Sequence, residues 1–170
     1  MTAVSTYAQA IVLLPFVSFV VALFARENLP RGGAYSGIAA TAGSLLLSLA
    51  TLAAVYGGTT VNETFYTWAV GTGAQDWTLS FGALIDPLSA LMLVIVSLIA
   101  LLVHVFSLGY MNDEGEEDLP RYYAGLGLFT ASMLGFVIAD NLLMAFMFFE
   151  LVGLCSYLLI GFHFREPGPP

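Results

Sequence analysis

Apolar positions gather into five stretches, 8–25, 36–56, 84–108, 122–139 and 142–162, each broken by a short polar segment. About 20 apolar residues in helical form cross the hydrocarbon layer, so the pattern predicts five transmembrane helices. Read as one helix, 121–164 would extend about 65 Å, roughly twice that layer. Asp140-Asn141 is therefore read as a surface turn whose polar side chains cap the fifth helix. Between helices two and three the period changes to two. Tyr66, Trp68 and Val70 alternate with Thr67 and Ala69, Gly71-Thr72-Gly73 breaks the run, and Trp77, Leu79 and Phe81 alternate with Thr78 and Ser80. This predicts a short external β-hairpin whose aromatic residues suit the membrane interface. The expected fold is thus an all-α integral membrane protein, one transmembrane domain over 1–170, with a hairpin and a proline-rich tail at 167–170.

Composition agrees: 59% of the 170 residues are hydrophobic and 9% charged, against about 25% charged in soluble domains. There is no lysine. Arg26, Arg31, Arg121 and Arg165 all fall on one side of the predicted topology, which the positive-inside rule makes cytoplasmic. That places the N-terminus and the hairpin outside and the C-terminus in the cytoplasm, in the plasma membrane of a prokaryote. No basic segment precedes the first helix, so it reads as a retained anchor and not a cleaved signal. Pro15 is expected to kink it. Ala40, Ser44 and Ser48 form a small-residue ridge suited to close helix packing.

Several chemistries are excluded. Without lysine there is no Walker phosphate loop, and neither G-x-G-x-x-G nor G-x-S-x-G occurs. Cys155 is the one cysteine, and alone it can build neither a disulfide, a zinc site nor an iron–sulfur cluster. Redox chemistry, if served, belongs to partner subunits, and no nucleic-acid partner is implied. The run Asp113-Glu114-Gly115-Glu116-Glu117-Asp118 reads as a solvated loop. With the net charge of −8, it suggests the high-salt cytoplasm of a halophilic archaeon.

Glu150 is the candidate functional residue, because it stands near the middle of the fifth apolar stretch with no other charge between 142 and 162. A carboxyl group there costs about 2.5–3.5 kcal/mol on insertion scales. It is read either as a proton-exchanging group or as a protonated acid bonding a neighbouring helix. His104, inside the third stretch, is the one intramembrane basic candidate to face it; its imidazole either passes protons or bonds a neighbouring helix. Asp86, before Pro87, is read as a helix cap, and Asp140 likewise. His163 is read as an interfacial anchor.

Glu150 followed by Val152-Gly153-Leu154-Cys155-Ser156-Tyr157-Leu158-Leu159-Ile160-Gly161-Phe162 resembles the fifth helix of subunit L, the antiporter-like subunit of respiratory complex I. The resemblance extends through Ala139-Asp140-Asn141-Leu142-Leu143, Phe129 to Met133, His104 with Gly109-Tyr110-Met111, and Ile85-Asp86-Pro87-Leu88-Ser89, covering 65–164. It implies a proton-translocating subunit of a quinone-reducing complex. Glu150 would then belong to the proton pathway, with quinone, flavin and iron–sulfur clusters in partner subunits. The family usually has tryptophan before the glutamate and glycine after it, where this chain has Phe149 and Leu151. It also continues through further helices, one carrying a lysine that faces the glutamate. The chain is therefore expected to be an N-terminal portion, inactive alone, whose partners are other membrane subunits, the bilayer and the remaining part of the subunit. The corresponding component of a multisubunit sodium/proton antiporter and a bicarbonate-uptake membrane partner share the fold and stay open as alternatives.

Overall fold

The structure is a computed structural model that describes residues 3–25, 30–72, 77–111 and 118–162. Arg26, most of the acidic run, His163, Arg165 and the proline-rich tail lie outside the described residues. The elements are α1 (Ala3–Phe24), a 3-10 turn (Pro30–Gly33), α2 (Ala34–Val55), β1 (Val61–Gly71), β2 (Trp77–Ile85), α3 (Pro87–Tyr110), α4 (Leu119–Val137) and α5 (Leu142–Ile160).

Four helices, α1, α2, α3 and α5, are apolar and long enough to cross a membrane. α4 differs from them for a physical reason. It packs against each of the other four helices and buries Thr130, Ser132 and several small residues, so less of its surface has to satisfy lipid. Its 19 residues still extend about 28 Å. The third helix begins at Pro87 and not at 84, because Leu84 and Ile85 remain in β2 and Asp86 caps the helix.

Pro15 lies inside α1 without ending it. Proline has no N–H to return to the carbonyl four residues back, here that of Ile11. Ser44 Oγ on α2 donates to this Ile11 carbonyl at 2.9 Å, and both groups are buried. Most other buried hydroxyls of the bundle bond within their own helix: Thr41, Ser48, Ser97, Ser107, Thr130 and Ser132 each donate to the carbonyl four residues back. The predicted ridge on α2 is buried along Ala40, Ser44 and Ser48, and α2 packs against α1 and α3. Small buried residues let helix backbones approach where no hydrophobic effect drives association.

The hairpin is present and longer than the aromatic alternation suggested. β1 pairs antiparallel with β2 from Val61 opposite Ile85 to Gly71 opposite Trp77, with irregularities between Thr64 and Tyr66 and between Thr67 and Ala69. Tyr66, Trp68 and Val70 face outward, while Val61 and Phe65 pack on the core. The Leu84 N–H donates to the Ile138 carbonyl at 3.0 Å, and Asn141 Nδ2 donates to the Ser80 carbonyl at 2.7 Å. The strands are thereby fastened to the α4–α5 turn. The 3-10 turn carrying Arg31 packs on α4, with Gly32 against Leu119 and Pro120, so Arg31 and Arg121 share the end of the bundle opposite the hairpin.

Candidate functional site

α4 ends at Val137, and α5 opens at Asn141 after a short turn. Asn141 Oδ1 accepts from the Met144 N–H at 2.9 Å, which makes Asn141 the N-cap. Of the polar pair expected to cap this helix, Asp140 is not the cap: its Oδ1 accepts from Asn141 Nδ2 and its carboxyl group lies against Gly82 of β2. Asp86 does cap α3. Its Oδ1 accepts from the Ser89 N–H at 2.7 Å and the Asp86 N–H donates to the Ser89 hydroxyl at 2.7 Å, a complete capping box. The Ser89 N–H, and next the Ser89 hydroxyl, hold the Asp86 carboxyl below its ordinary value.

The rotation of α5 is set by its contact with α4. Gly135 leaves room for the Phe148 ring, which would stand 2.5 Å from any Cβ placed there. Met144 and Cys155 are the buried residues of α5, and Cys155 meets Ser132 of α4. With that stripe turned inward, Glu150 is exposed on the opposite face. Helical spacing places Gly153, Leu154 and Tyr157 beside it. Leu154, Tyr157, Phe146 and Phe149 are exposed as well, Tyr157 to 74%. Glu150 thus sits midway along an apolar helix face that no described element covers.

His104 has the contrary environment. It is fully buried, its Nδ1 lies 2.8 Å from the Ala100 carbonyl, and its ring rests on Gly37 of α2, where a Cβ would come within 2.6 Å of Cδ2. The structure does not bring His104 and Glu150 together: the histidine faces α2, and α5 packs on α4. Two residues that matter here escaped the reading of the sequence. Gly37, three residues before Ala40 and buried on the same face of α2, could have been found by continuing the small-residue ridge toward the start of the helix. Ser18, a single hydroxyl among the apolar residues of the second half of α1, carried no signal.

Two family models match the chain. One, described as NADH-ubiquinone oxidoreductase (complex I), chain 5 N-terminus, matches residues 71–123. The other, described as NADH:quinone oxidoreductase/Mrp antiporter, TM, matches residues 139–168. The chain is 42% identical over 167 residues to F(420)H(2) dehydrogenase subunit L of Methanosarcina mazei, covering 98% of this chain and 24% of that protein. It is 36% identical over 168 residues to the chloroplastic NAD(P)H-quinone oxidoreductase subunit 5 of Lolium perenne, covering 95% of this chain and 22% of that protein. Among solved structures, the Mrp complex from Dietzia sp. matches with a TM-score of 0.69 and 25% identity, over 92% of this chain and 27% of that one.

Fold and matches together define an antiporter-like membrane subunit of the kind shared by complex I and the Mrp antiporters. Within that class the chain is of the complex I subunit L/subunit 5 type. It spans about a quarter of the length of the curated relatives it matches.

Proposed function

We propose that this chain contributes Glu150 to proton translocation in a membrane-embedded quinone oxidoreductase of the complex I type. One observation carries the reading: the lone carboxyl of α5 lies midway along an exposed apolar face. Left against acyl chains it would cost about 2.5–3.5 kcal/mol on insertion scales. Acyl chains can cover the apolar residues of this face but not a carboxyl group without that cost, so in this reading the group that meets Glu150 comes from protein outside the described helices. A basic side chain or a hydrated path there lets Glu150 gain and lose a proton as its neighbour changes charge.

With a single cysteine the chain offers too few thiolates for an iron–sulfur cluster. Quinone, flavin and iron–sulfur clusters belong in this reading to partner subunits. Arg31 and Arg121 at the end opposite the hairpin support a cytoplasmic placement of that end, with the hairpin outside, in a prokaryotic plasma membrane. The net charge of −8 with four basic residues supports a halophilic host.

The test is Glu150→Gln in the assembled complex. The variant is expected to assemble and to reduce quinone without the associated proton release. An unchanged proton-to-electron ratio would refute the assignment. Sodium movement in place of proton movement, lost in the same variant, would favour the sodium/proton antiporter reading that the Mrp likeness keeps as the alternative.

A further inference from the structure

Among the described residues, two buried side-chain atoms have no hydrogen-bond partner, Ser18 Oγ and His104 Nε2. They come from different helices, α1 and α3, yet both converge on Gly37 of α2. A Cβ built on Gly37 would lie 3.0 Å from His104 Nε2 and 3.7 Å from Ser18 Oγ. Ser18 is 4% and His104 0% exposed. Orphaned polar atoms buried in this way are destabilising unless something matches them, and two of them meeting at one point form a site.

The chemistry of the two atoms specifies the ligand. The Ala100 carbonyl can only accept, so His104 Nδ1 carries the hydrogen of that 2.8 Å bond. In the neutral ring Nε2 is then a lone pair requiring a donor, and the Ser18 hydroxyl both donates and accepts. We infer that the α1–α2–α3 junction binds one water molecule, which donates to His104 Nε2 and bonds Ser18 Oγ. Buried waters are held in this way by polar atoms that the protein leaves unmatched. Gly37 makes the site by letting the imidazole edge lie on the α2 backbone.

A second polar pair lies close by, its serine on the same helix as His104. One helical turn from His104, Ser107 Oγ bonds the Tyr122 hydroxyl at 2.8 Å, and Tyr122 lines a groove of about 120 Å³ beside Arg121 at the end of the bundle opposite the hairpin. Residues three apart on a helix are neighbours, so the Ser107–Tyr122 pair lies one turn from the imidazole on the side of the groove. The water site is thus a hydrated proton acceptor set apart from the α5 carboxyl, and it rests on geometry alone, independent of what Glu150 does.

Solid-state nuclear magnetic resonance on the full chain in its membrane, with histidine imidazoles labelled with nitrogen-15, tests the inference. His104→Gln assigns the resonance. The expected result is a hydrogen-bonded, unprotonated Nε2 that receives polarisation from water, with that transfer falling at least threefold in Ser18→Ala. Absence of water transfer overturns the proposal, whether Nε2 is bare or bonded directly by Ser18. Transfer that Ser18→Ala leaves undiminished overturns it equally.

Discussion

Ser44 and Pro15 form a matched pair whose coupling can be measured. Ser44→Ala removes the 2.9 Å bond to the Ile11 carbonyl, an acceptor to which Pro15 offers no N–H. Interhelical bonds of this kind in membranes average about 0.6 kcal/mol and reach about 1.7. Because both groups are buried, a loss of about 1–1.5 kcal/mol is expected. In a Pro15→Ala background, residue 15 supplies its own N–H to Ile11, and Ser44→Ala should then cost almost nothing. The double-mutant cycle therefore has a coupling energy of about 1 kcal/mol, read from reversible unfolding of the full chain in mixed micelles. Infrared spectra with a carbon-13 carbonyl label at Ile11 give an independent reading. The band should move to higher frequency in Ser44→Ala and stay in place in the double variant. Equal losses in both backgrounds, with no carbonyl shift, would refute the idea that the serine replaces the bond missing at the proline.

Asn141→Ala removes the cap of α5 together with the donor to Ser80. It should cost about 1–2 kcal/mol, visible as faster amide exchange at Met144 and along 77–85. Asp86 gives a pH test outside the membrane span. Its folded pKa is depressed, first by the Ser89 N–H, so its contribution is full above the unfolded value of about 3.9 and is lost as pH falls through the folded value. Protection of the Ser89 amide should hold at pH 5 and decline toward pH 2, and Asp86→Asn should abolish this dependence. A Ser89 protection factor that stays constant through that interval would contradict the capping box.

The five-helix arrangement and the hairpin were legible because lipid-length apolar runs and period-two alternation are strong signals. Asp86 was legible too, since acid followed by proline has few other uses at a helix start. The choice of cap at α5 was not. Asp140 and Asn141 are both good caps, and only the strand alongside decides, by taking up the Asn141 amide and crowding the Asp140 carboxyl. The site was half legible. Glu150 announces itself by depth, but the direction it faces follows from Gly135 admitting Phe148, a packing event between residues thirteen apart. Pairing His104 with Glu150 was wrong as geometry because counting residues along two helices says nothing of the helix that lies between them.

Asn141 holds α5 and the hairpin with opposite ends of one amide group, which indexes the azimuth of α5 to the strands. An extra residue inserted after Asn141 would turn every side chain beyond it by about 100°, sweeping the carboxyl from its outward bearing to the flank of the bundle. The clasp at the mouth of the helix is therefore a phase marker, and the acid half a helix away keeps its heading only while that register of a single asparagine is preserved.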